Sequence, residues 1–205
     1  MLSTILVAAV YLTLQNNVPV AQADVDEVGR EVRLYITAYS ITAAAQKATC
    51  YDVEEGGAQC KPIFGDVFMA AGMLVSLGKN ETYFSRQIQE GKCGWHECGG
   101  KNRWLDSRAK SYWQAEKPPT MSKDEFDNFA GLGIDNVSSA AWYAVKHLSG
   151  SYYVCRGMTG AFSGYARGQD HCDWGPAKGR ARDAYYYTSI IRREFKKLEK
   201  SANSS

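Results

Sequence analysis

A chain of 205 residues is long enough for one domain with a substantial core and short for two. With 45% apolar and 22% charged residues it is not a disordered chain. Its net charge of +2 lacks the basic excess of a dedicated nucleic-acid binder, so no nucleic-acid partner is expected.

The chain opens on an apolar run from Leu2 to Leu14, about as long as the core of a signal peptide and short for a bilayer span. Ala21-Gln22-Ala23 then supplies the small-x-small pattern that signal peptidases cut. The pattern predicts a leader over residues 1–23 and a mature domain over 24–205, secreted or periplasmic, with no membrane contact beyond the leader. No Lys or Arg precedes the run, and the alternatives are an uncleaved anchor or an ordinary buried helix.

Further on, Val28, Val32, Leu34, Ile36, Ala38 and Ile41 recur at roughly helical spacing within Asp24–Ala48, with Asp24 a candidate N-cap. Gly56-Gly57 marks a loop. Asp66–Leu77 reads as the strongest helix, with Val67, Ala70, Ala71, Leu74 and Leu77 on one face, and Gly78 ends or weakens it. Gly91–Arg108 reads as a loop, and Pro118-Pro119 breaks the chain again. Ser122 and Glu125 have the spacing of a capping box. Asn136 or Ser138 caps another helix, which Gly150 stops. The last helix runs from Gly179 or Arg180 to Lys200, before a frayed tail at Ser201–Ser205. Strand-like alternation is weak and confined to Tyr152-Tyr153-Val154, so the expected fold is mainly α and a single domain.

All six cysteines, Cys50, Cys60, Cys93, Cys98, Cys155 and Cys172, follow the leader-like segment. An even count in an exported chain reads as disulfides. The local pairs Cys50–Cys60, Cys93–Cys98 and Cys155–Cys172 are preferred because each pins one loop. Cys93, His96 and Cys98 are also zinc-compatible types, but no second Cys/His cluster completes a tetrahedron, so neither metal nor cofactor is expected. A cysteine hydrolase using Cys93 or Cys98 with His96, His147 or His171 would need a free thiol.

Among the carboxylates Glu81 stands apart. It follows the most apolar helix of the mature region and directly precedes Thr82, Tyr83 and Phe84. Burial against rings and the negative end of a helix dipole both raise a carboxyl pKa, as a general acid near neutral pH requires. Two other segments bear polar and aromatic groups suited to a sugar: Ser111-Tyr112-Trp113-Gln114, and Tyr165 flanked by Gly164 and Ala166.

In this order the three segments resemble the lysozyme-like superfamily, in its branch of soluble lytic transglycosylases and goose-type lysozymes. Glu81-Thr82-Tyr83-Phe84 matches that branch's Glu-Ser/Thr-x-Phe motif. Ser111-Tyr112-Trp113-Gln114 keeps the Gln of Gly-Leu-Met-Gln, and Gly164-Tyr165-Ala166 keeps the Tyr of Ala-Tyr-Asn. The likeness spans about Phe64 to Phe195, with a long interval between Glu81 and Gln114 and with Ala166 in place of the Asn. It implies a lysozyme-like (α+β) domain with disulfide-pinned loops, and peptidoglycan glycan strands as the partner. Glu81 is then the acid and base that breaks the MurNAc–GlcNAc bond. Gln114, Tyr165, Tyr112 and Trp113 are expected at the substrate, with Tyr165 bonded to it or to Glu81. A transglycosylase uses the muramyl 6-hydroxyl as nucleophile. A hydrolase uses water and a second carboxylate, for which Glu90, Glu97, Asp106 and Glu116 are candidates. The alternative is an exported module of the same fold that binds peptidoglycan without cutting it.

Overall fold

The computed structural model describes residues 2–19, 27–48, 66–91, 110–115, 121–168 and 171–204. Among them lie α1 (Leu2–Asn17), α2 (Glu27–Ala48), α3 (Val67–Thr82) and α4 (Arg86–Gln89). These are followed by α5 (Lys123–Asp127), α6 (Ile134–Cys155), α7 (Met158–Arg167) and α8 (Ala177–Asn203).

Helix α3 is the axis of the molecule. Asp66 caps it by accepting a 2.8 Å hydrogen bond from the Met69 amide, and Arg192 of α8 pairs with the same carboxylate. From Ala70 to Gly78 every residue of α3 is buried. A helix apolar on all sides needs neighbours on all sides; α8 and α2 pack against it, and α6 touches it more lightly. Helix α8 offers a stripe of Ala177, Ala181, Ala184, Thr188, Ile191 and Phe195, spaced at three and four residues, and leaves its charges outside. The two helices approach closely at Gly72, where a Cβ would lie 2.7 Å from the Ala184 carbonyl oxygen.

The apolar run Leu2–Leu14 forms most of α1. It packs on α2 and α8, and Leu6, Ala9, Val10 and Leu14 have no exposure. The expected cleavage point at Ala23 and Asp24 lies outside the described residues. No helix among the described residues is long and apolar enough to cross a membrane.

Several expectations are corrected by packing. Glycine does not end α3: the helix continues through Gly78 to Thr82 because the Phe84 ring occupies the space a Cβ would fill, 2.4 Å from Cζ. Helix α6 likewise passes Gly150 to Cys155, taking in Tyr152, Tyr153 and Val154, because Leu148, Ser149 and Ser151 remain buried. It begins at Ile134 rather than at an Asn or Ser cap, and Asn136 instead donates to the Asn128 carbonyl at 2.8 Å. The last helix runs from Ala177 to Asn203, longer at both ends than expected. The β part of an α+β domain is absent among the described residues, where the ladder-like pairing is a single bridge, Lys110 to Ala115. The capping box of Ser122 and Glu125 does start α5.

Cys155 and Cys172 form a disulfide with Cα atoms 5.2 Å apart, tying the end of α6 to the segment that leads into α8. Cys50, Cys60, Cys93 and Cys98 lie outside the described residues.

Candidate functional site

Three segments distant in sequence converge at the C-terminal end of α3. Lys110 and Ala115 exchange backbone hydrogen bonds of 2.9 and 2.8 Å, closing a tight turn that holds Ser111 and Gln114 at positive φ, 72° and 50°. The turn is bolted to α3 from two sides. Thr82 Oγ1 donates to the Tyr112 carbonyl at 2.8 Å, and the Trp113 indole N–H donates to the Leu74 carbonyl at 2.9 Å. The Phe84 ring meets both Tyr112 and Trp113 edge to face, at 5.3 and 6.4 Å between centroids. From α7, the Tyr165 hydroxyl donates to the Trp113 carbonyl at 2.7 Å.

These contacts give the motif residues distinct tasks. Thr82 and Phe84 fasten the turn to the helix that carries Glu81. Tyr165 fastens α7 to the residue before Gln114, so the hydroxyl expected at Glu81 or the substrate gives its hydrogen to the Trp113 carbonyl instead. Tyr112 and Trp113, expected against a sugar, are instead almost fully buried, and their rings support the turn from beneath. Gln114 is half-buried, with its amide at 3.4 Å from the Ser111 carbonyl, a long contact that leaves it able to turn to another acceptor.

Gln89 of α4 completes the frame, a residue that sequence reasoning passed over. Its side-chain amide donates to the Phe129 and Gly131 carbonyls, both at 2.8 Å, while its oxygen accepts from the Tyr112 amide at 2.9 Å. A buried amide with donor and acceptor both used is stabilising; the same group with one partner removed costs about 1–3 kcal/mol.

Glu81 lies in the last turn of α3, not beyond the helix, with its side chain 18% exposed. It is paired with Arg180 from the first turns of α8, whose side chain is 13% exposed. The Trp174 ring lies over that guanidinium at 4.7 Å. Burial pushes the Glu81 carboxyl above its ordinary value of 4.5, and the charge and hydrogen bond of Arg180 oppose that push. Neither Arg180 nor Trp174 was singled out from sequence. Their only sequence signal is a basic residue one α8 turn from a carboxylate, Asp183, which pairs with Lys79 at 2.6 Å.

Of the four candidate second carboxylates, Glu90 ends α4 and pairs with Arg86 at 3.0 Å. Glu97, Asp106 and Glu116 lie outside the described residues, as does His96. Among the described residues no three His, Cys, Asp or Glu side chains gather as a metal site.

The arrangement offers a carboxyl with a raised pKa in the last turn of α3, facing Arg180 of α8, while the neighbouring Thr82 fastens the same helix end to the turn that carries Gln114. Compared with family models, with curated proteins and with solved structures, the chain matches none.

Proposed function

We propose that the chain is a peptidoglycan-cleaving enzyme, a lytic transglycosylase or muramidase of lysozyme-like type, with Glu81 as general acid and base. One observation carries the reading: the three segments that resemble the superfamily's motifs, distant in sequence, meet through direct bonds of Thr82 and Tyr165 to the Tyr112–Trp113 backbone. A chance resemblance among short motifs has no reason to be spatially consistent.

In this mechanism Glu81 donates its proton to the glycosidic oxygen, and the C–O bond breaks with its electron pair going to that oxygen as positive charge develops on the muramyl ring. The muramyl 6-hydroxyl then attacks the anomeric carbon and returns its proton to the Glu81 carboxylate, leaving a 1,6-anhydro end. The hydrolytic variant puts water in place of the hydroxyl. Glu90, one of the candidate second carboxylates, is paired with Arg86; the transglycosylase route needs no second carboxylate.

The second reading, a module that binds glycan strands without cutting them, draws support from the ion pair, since Arg180 opposes protonation of Glu81. Glu81→Gln separates the two. On purified cell walls it should lower turnover by about 10²–10⁴, the usual worth of general acid catalysis, while glycan binding persists. Anhydro ends in the mass spectrum of the digest identify the transglycosylase, and reducing muramyl ends identify the hydrolase. A wild-type protein that binds walls and releases nothing establishes the module.

A further inference from the structure

The Glu81 carboxyl is not symmetric. Oε1 is held by Arg180, whereas Oε2 has no hydrogen-bond partner among the described residues and is not among the fully enclosed polar atoms. The carboxyl therefore has one anchored oxygen and one that is open to a proton and to an incoming group.

The anchor is itself held. Trp174 covers the Arg180 guanidinium, and the Trp174 carbonyl accepts the Ala177 amide at 2.9 Å where α8 begins. Two residues before Trp174, Cys172 is bonded to Cys155 at the end of α6. On the other side, Ser76 of α3 donates to the Arg180 carbonyl at 2.8 Å, fixing the height of Arg180 along the α3–α8 contact.

We propose that Arg180 is the positioning residue of this site: clamped under Trp174, it anchors Oε1 of Glu81, leaves Oε2 to carry the exchanged proton, and balances the carboxylate each time that proton leaves. The inference rests on reading Glu81 as the general acid. The proton passes from Oε2 to the glycosidic oxygen and returns to Oε2 from the attacking hydroxyl.

Several other polar groups on the packed elements are engaged elsewhere. Asp183 of α8 is bonded to Lys79 and Asn80 of α3 at 2.6 and 3.2 Å. Lys110 of the turn is paired with Asp127 of α5, and the α7 hydroxyl of Tyr165 is bonded to Trp113. Arg180 is the charge that acts on Glu81.

The test is the pH profile of wall digestion, with kcat and KM separated, for wild type, Arg180→Gln and Arg180→Lys, beside a carbon-13 NMR titration of the Glu81 carboxyl in each. Arg180→Gln should lower kcat about tenfold or more with little change in KM, as expected when orientation is lost. It should also raise the Glu81 pKa by about one unit or more, the usual effect of a nearby opposite charge, in both the alkaline limb and the NMR titration. Arg180→Lys keeps the charge and loses the planar fork, so kcat should fall while the titration stays near wild type; this variant also serves if Arg180→Gln does not fold. A folded Arg180→Gln protein with wild-type titration and profile overturns the proposal, and so does one that digests faster than wild type, which would make Arg180 a cover over the site. If Glu81→Gln digests as fast as wild type, the enzymatic reading falls and this one with it. An enzyme that requires Glu81 but ignores Arg180 overturns this inference alone.

Discussion

Because burial lifts the Glu81 carboxyl above 4.5, the folded protein binds that proton more tightly than the unfolded chain does. The resulting stability is fully present below the unfolded value and is lost as pH rises through the folded value. Urea midpoints of wild type should therefore fall relative to those of Glu81→Gln as pH rises from 4.5, and level off once Glu81 is ionised in both states. A flat difference curve would mean that the carboxyl is not shifted. Glu81 stands out in the sequence because the cue is local: an apolar helix ending in a carboxylate beside rings. Arg180 lies 99 residues away, and a lone Arg in a charged helix reads as a solvated side chain until the fold closes it over a partner. Tyr112 and Trp113 illustrate the reverse error: rings beside a Gln suggest sugar stacking, yet their apolar area is worth more inside.

At the scale of elements, the α3–α8 contact depends on the missing side chain at Gly72. An added Cβ would meet the backbone of α8, 2.7 Å from the Ala184 oxygen and 2.8 Å from the Thr188 nitrogen, so the helices would have to separate. Gly72→Ala gains about 1 kcal/mol in helix propensity, and overpacking costs about 1–3 kcal/mol. We expect a net fall in the thermal midpoint, and a rise would mean that α3 and α8 are less closely packed than described. Such contacts also explain which helix boundaries could be read in advance. The Ser122–Glu125 box is local chemistry and was legible, as was the start of a helix at Asp66. The passage of α3 through Gly78 and of α6 through Gly150 was not, because glycine's intrinsic cost is outweighed by neighbours that only the assembled fold supplies. The Gly-flanked stretch around Tyr165 lies within α7, where Gly160, Ala161, Phe162, Ser163 and Gly164 are buried.

For the whole molecule, the decisive question is how much of the core belongs to α1. Leu6, Val10 and Leu14 are fully buried, and burial of such side chains is worth about 1.5–3 kcal/mol each. A chain beginning at Asp24 should thus unfold at markedly lower urea than the 205-residue chain, or associate through the uncovered faces of α2 and α8. Equal urea midpoints would mean that α1 adds little to the fold. The leader-like pattern and the core helix are one run of apolar residues, and sequence cannot separate them because an apolar segment satisfies both roles.

The packing of α1 on α8 also sets an order of events at the ribosome. Helix α1 ends at Asn17 and α8 begins at Ala177. At about 5–20 residues per second, synthesis separates them by roughly 10–30 s. Throughout that interval the surface of α1 that α8 will cover is open, with α2 as its early companion. Of the two helices the earlier made waits for the later to enclose it, and the delay is the time in which any factor that recognises a nascent apolar segment can engage it.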